Sequence, residues 1–115
     1  MAEVSPIVFA KWFKGARALP YWLVTSNGIP IDVSSWTFRF VIAKSSDPDS
    51  SALITKTSVT VSNGNGTNDK VRIVIDSADS SNLRPGIYYY TLWRTDLADD
   101  VVLAVGDAYL SPTVQ

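Results

Sequence analysis

The residues here that could do chemistry are carboxylates, hydroxyls and tryptophans; histidine and cysteine are absent. That removes the commonest general base, the thiolate nucleophile and most transition-metal ligand sets, and with them any disulfide. Glycosidases need only two carboxylates. Glu3 is the sole glutamate, however, and Asp47/Asp49 and Asp99/Asp100 lie in turns, where aspartate commonly bonds backbone. Calcium at Asp47-Pro48-Asp49 or across residues 63–69 would require about six oxygen ligands, and neither stretch has an EF-hand layout. The serines crowd into turns without a Gly-x-Ser-x-Gly elbow or a Ser-x-x-Lys element. Asn63-Gly64-Asn65-Gly66 carries glycines, but no Lys-Ser/Thr follows to cradle a phosphate. These residues compose no catalytic, cofactor or metal site, and the sequence reads as that of a non-enzymatic protein.

The aromatics offer recognition instead. Trp12, Trp22, Trp36 and Trp93 are candidates for stacking on sugar rings, and a carbohydrate-binding module used in host-surface adhesion is the alternative function they carry. Trp36 heads a strongly alternating strand and is expected in the core, with Phe38 and Phe40. Tyr89, Trp93, Trp12 and Trp22 are the candidate anchors of a protein–protein interface, a role that favours Trp and Tyr. Lys11, Lys14 and Arg17 interleave with Trp12 and Phe13, as in single-stranded nucleic-acid binders. The net charge of −1 supplies no wider basic groove, and charges guarding a strand edge account for them. Residues 1–44 carry +3 (five Lys/Arg against Glu3 and Asp32), and residues 45–115 carry −4 (five Lys/Arg against nine Asp). Opposite patches of this kind are one route to a homo-oligomer.

The elements that must position these side chains are strands. Period-two alternation recurs along the chain and helical periodicity is nearly absent. Strands are predicted over 7–13, 19–25, 36–43, 52–56, 58–62, 70–76, 87–94 and 101–109, the last broken at Gly106. Residues 1–6 are expected as a flexible tail ahead of a single domain spanning 1–115. Asn27-Gly28 marks a tight turn, residues 63–69 an exposed mobile loop, and residues 77–82 a helical turn capped by Asp76 or Ser77. Seven or eight short strands with turns every ~8–12 residues predict an all-β, immunoglobulin-like Greek-key sandwich, ahead of a small Greek-key barrel. Leu83-Arg84-Pro85-Gly86-Ile87-Tyr88 is the pattern of a tyrosine corner, in which the ring enters the core and the hydroxyl returns to upstream backbone. If Tyr88 is buried, alternation puts Tyr90 and Leu92 with it and turns Tyr89 and Trp93 outward. The N-terminus lacks the basic and apolar runs of a signal peptide, and no apolar segment approaches the ~20 residues that span a bilayer. Synthesis in the cytoplasm is expected.

Three segments carry a resemblance. Gly28-Ile29-Pro30-Ile31-Asp32-Val33-Ser34-Ser35-Trp36-Thr37-Phe38-Arg39-Phe40 is similar to a "G-x-P-(I/V)-D-L-(S/T)-G" turn followed by an alternating strand. Residues 77–92, from Ser77-Ala78 through Leu83-Arg84-Pro85-Gly86 to Leu92, are similar to "S-A-x-(D/T)-(T/S)-x-L-x-P-G-x-Y-x-Y-x-L". Residues 102–110 match a closing strand with an internal glycine, and residues 52–56 a short middle strand. In this order the segments resemble small immunoglobulin-like domains of tailed-bacteriophage virion proteins, among them the N-terminal domain of upper baseplate proteins. Ser35 departs from the pattern, where a glycine is common. The resemblance implies a structural protein of a phage or prophage particle (tail, baseplate, adaptor or head accessory) with other virion proteins as partners. With no long segment after Gln115, a small accessory or adaptor protein made as a separate chain in the host cytoplasm is expected.

Overall fold

The computed structural model describes residues 2–8, 12–45 and 51–112. Lys11, Asp47 and Asp49 lie outside the described residues. The chain is mostly β, in two five-stranded sheets that pack on one another. The first sheet runs β1 (Ala2–Val8), β3 (Tyr21–Ser26), β8 (Lys70–Arg72), β7 (Thr60–Ser62), with β4 (Ile29–Pro30) also on β3. The second runs β2 (Trp12–Phe13), β10 (Val101–Ser111), β9 (Gly86–Arg94), β5 (Phe38–Ala43), β6 (Ala52–Lys56). Every neighbouring pair is antiparallel except β2 and β10.

Four expectations need correcting. Residues 2–6, expected as a tail, are strand: β1 starts at Ala2 and pairs along β3 from Ser26 to Tyr21. The open edge of β3 supplies partners for backbone groups that would otherwise need water. The register slips between Ser5 and Val8, around Pro6, which has no amide proton to give the ladder. The single strand predicted over 7–13 is instead shared between sheets, β1 belonging to one and β2 to the other. With the two-residue β2 and β4 counted, the described residues form ten strands in place of the predicted seven or eight. Finally, β10 is not broken at Gly106; it runs unbroken through it, and its irregularity lies between Val102 and Ala104.

Gly106 is there to make room. A Cβ at this position would lie 2.8 Å from the ring of Tyr90, its partner across the β9–β10 ladder. The Asn27-Gly28 turn forms as expected: both residues have positive φ (52° and 79°), and the two-residue loop joins β3 to β4.

Aromatic packing welds the sheets together. Trp22 from β3 lies 5.5 Å from Phe40 on β5 and 5.6 Å from Tyr90 on β9, measured between ring centroids. Val24, Val71, Ile73 and Ile75 complete the inner side of the first sheet; Phe38, Ile42, Ile54, Tyr88, Leu92, Ala108 and Leu110 complete that of the second. Tyr88 is buried, and its hydroxyl donates to the Arg84 carbonyl at 2.6 Å. This is the geometry of a tyrosine corner.

The connections are pinned by polar side chains. In the loop at 63–69, the amides of Gly64 and Asn65 both donate to Asp69 Oδ1 (2.9 and 3.0 Å), and Gly66 donates to Asn63 Oδ1. Asp69 is fully buried, so the loop expected to be mobile is anchored in the protein at its C-terminal end. The helical turn α1 (Ser77–Ser80) follows Asp76, whose amide donates to Asp79 Oδ2 at 2.8 Å. Lys56 Nζ on β6 reaches the same carboxylate at 2.7 Å, tying the turn to the edge of the second sheet.

Candidate functional site

The inner face of the second sheet is committed to the core, so its outer face is where recognition can occur. Alternation from buried Tyr88, Tyr90 and Leu92 puts Ile87, Tyr89, Thr91 and Trp93 on that outer face. Register then assigns their neighbours. Trp93 stands between Arg39 and Val102, Thr91 between Val41 and Val105, Tyr89 between Ala43 and Asp107, and Ile87 beside Tyr109. On β6, Thr55 lies opposite Val41 and Leu53 shares its side, away from buried Ile54.

This face is mainly apolar and open. Val105 is 65% exposed and Tyr109 57%, and Ile87, Val102 and Leu53 are exposed as well. Five of the nine large apolar side chains exposed among the described residues thus share one sheet face. Scattered exposed apolar residues are ordinary, whereas a contiguous group marks an interaction surface. Two charged groups interrupt it. Arg39 lies with its guanidinium carbon 5.1 Å from the Trp93 ring centroid, and Nη1 is 3.6 Å from Asp100 at the rim. Asp107 is exposed, and its carboxylate has no hydrogen-bond or ion-pair partner among the described residues.

The four anchors proposed from sequence divide two and two. Tyr89 and Trp93 are half-buried on the outer face, with Arg39 from the adjacent strand partly covering Trp93. Trp12 and Trp22 are not surface residues: each is 1% exposed, and both belong to the core. Trp12 packs edge-on against Tyr88 at 5.8 Å. Trp22 bridges the sheets, and its buried indole N–H has no acceptor among the described residues. Trp36, expected in the core, is half-buried against it and roofed by the Arg94 guanidinium, 3.5 Å from the ring centroid. Arg94 is held there by Asp96 through two hydrogen bonds of 2.8 and 3.0 Å. Sequence reasoning missed Val102, Val105 and Tyr109. Their parity relative to Tyr89 follows only from the β9–β10 register.

The carboxylates of the described residues are spread over the structure. Among the described residues no three Asp or Glu side chains stand close enough to share a metal ion. Asp96 is held below the ordinary aspartate range by its bonds from Arg94. Asp79 is also lowered: burial works against its charged form, but the hydrogen bond and charge of Lys56 and the Asp76 amide outweigh it. Both carboxylates therefore serve as acceptors in structural ion pairs. No helix among the described residues is long and apolar enough to cross a membrane. No protein-family model matches the sequence, and no curated protein is significantly similar to it.

Proposed function

We propose that this chain is a non-enzymatic structural protein of a phage or prophage particle, made in the bacterial cytoplasm and assembled into the virion by protein–protein contacts. The observation that carries the assembly reading is the apolar outer face of β10, β9, β5 and β6. Burying such a face releases water at roughly 25 cal/mol per Å² of apolar area, the main driving force of association. The setting in a virion rests on the resemblance of residues 28–40, 77–92 and 102–110 to phage immunoglobulin-like domains.

The finer reading of the fold, an immunoglobulin-like Greek key, has two supports. The sheet orders β1-β3-β8-β7 and β2-β10-β9-β5-β6 match the division of strands in immunoglobulin sandwiches. The second support is Tyr90. In such domains a cysteine follows the corner tyrosine by two positions, bridges to the other sheet and packs on a tryptophan. Tyr90 stands at that position here, and Trp22 and Phe40 pack against it, so three rings do the work of a disulfide and one ring. The carbohydrate-binding alternative has less to rest on, because Trp12 and Trp22 are enclosed and guanidinium groups lie over Trp36 and Trp93.

The test is incorporation. Particles purified from the encoding host by density gradient should contain the chain, and Val105→Asp, on an exposed outward position, should fold normally but be lost from them. Particles lacking the wild-type chain, or incorporating Val105→Asp fully, would overturn the reading.

A further inference from the structure

We infer that the outer face of β10, β9, β5 and β6 is occupied by a second copy of this chain, packed about a two-fold axis that pairs Arg39 of each copy with Asp107 of the other. The inference rests on the assembly reading and names its partner.

Among the described residues of these four strands, Arg39 and Asp107 are the charged side chains on the outer face, and they sit diagonally across it. Arg39 is in register with Trp93 on one flank of β9, and Asp107 with Tyr89 on the other flank. Thr91 lies midway between them on the central strand. An uncharged apolar partner would strand Asp107 in a dried interface, where an unpaired ion is costly, and would leave Arg39 only its 3.6 Å contact with Asp100. A basic or acidic partner would satisfy one and repel the other. A second copy brings a cation and an anion with the same spacing, and isologous contact makes the two pairs equivalent.

The geometry closes. With strands ~4.8 Å apart and ~3.4 Å per residue, Arg39 and Asp107 are displaced from Thr91 by about 8 Å in opposite directions. A two-fold axis lying between the copies over Thr91, perpendicular to that diagonal, carries each Arg39 onto the other copy's Asp107. The strands of the two facing sheets then cross at about 70°, nearer the orthogonal than the aligned class of sheet packing. Each face, four strands of about seven residues, is roughly 19 by 24 Å; crossed at about 70°, the faces overlap over roughly 350 Å², so two copies cover on the order of 700 Å² in projection. That is the size of a small, transient interface, in keeping with a concentration-dependent dimer.

Sedimentation velocity of the purified chain over a concentration series tests this, with Arg39→Asp, Asp107→Arg and the double variant alongside. The expected result is a concentration-dependent dimer whose Kd rises at least tenfold in either single variant, by like-charge contact across the axis. The double variant should recover it, because reversing both charges restores both pairs. Asp107→Arg alters an exposed side chain and keeps the test valid if Arg39→Asp disturbs Trp93; circular dichroism checks that each variant folds. A wild-type monomer at every concentration, or a dimer indifferent to Asp107→Arg, would overturn the inference. A monomer that still enters particles through Val105 would do so while leaving the assembly reading intact.

Discussion

Replacing Tyr88 by Phe removes a single oxygen and leaves the ring's surroundings unchanged. The ring is 2% exposed, sits edge-on to Trp12, and has the Lys44 ammonium 4.7 Å from its centroid. Phenylalanine keeps all three features. What is lost is the hydrogen bond to the Arg84 carbonyl, whose net worth is about 1 kcal/mol. A buried stranded acceptor would add about 1–3 kcal/mol, but Arg84 is an exposed residue and the bond is only part-buried, which limits that addition. The expected cost is therefore about 1–1.5 kcal/mol, or ~4–8 °C in Tm for a domain near this size. Urea unfolding followed by tryptophan fluorescence measures it as a lower midpoint at unchanged slope. Tyr89→Phe, on the opposite face and without a hydroxyl partner among the described residues, is the control and should match wild type. A Tyr88→Phe cost below about 0.3 kcal/mol would show that the corner bond contributes nothing net. A cost above about 3 kcal/mol would mean that the carbonyl is sealed from water or that the ring has moved.

Three further outcomes follow from the packing and the ion pairs. Gly106→Ala should cost about 1–3 kcal/mol in the same assay, because its methyl group meets the Tyr90 ring and a packed core yields poorly; a neutral result would show that the ring is free to shift. Asp69→Ala should cost about 1–3 kcal/mol by freeing the Gly64 and Asn65 amides, and limited proteolysis should now cut within residues 63–68, whereas an equally resistant loop would refute its anchoring role. Asp79 and Asp96 have folded-state pKa values below the ordinary 3.8, so their contribution is present above that value and is lost as pH falls through the lower folded values. Thermal melts from pH 6 to pH 2 should show this loss, and Asp79→Asn should make the acid limb shallower; an unchanged limb would exclude the Lys56 pair as a contributor.

Much of the fold was legible because local chemistry and alternation agree. Phe38, Phe40 and Ile42 alternate cleanly with Arg39, and only one registry buries them. Asn27-Gly28 is a turn by its φ requirements, and the corner motif places Tyr88 without reference to the rest of the chain. The two misplaced anchors have a common cause. In Tyr21-Trp22-Leu23-Val24 and in Trp12-Phe13 both parities are apolar, so alternation does not say which ring faces inward. Trp22 is inside because β3 sits between β1 and β8 with Phe40 and Tyr90 opposite. Trp12 is inside because β2 leaves the first sheet's strand to close the edge of β10.

Gly106 illustrates the same division. In sequence it resembles a strand breaker; in the structure it is the space into which Tyr90 fits, a role set by a residue sixteen positions earlier. The apolar outer face is likewise a product of register, assembled from β10, β9, β5 and β6, none of which is conspicuous alone. By itself the sequence determined the all-β class, the absence of imidazole and thiol chemistry, the corner at Tyr88 and the outward turn of Tyr89 and Trp93, since each depends on residue type and near neighbours. Only the tertiary structure decided which tryptophans are core and which strands bring Arg39, Asp107 and Val105 onto one surface. Those outcomes depend on pairing between segments far apart in the chain, and local periodicity carries no information about such pairing.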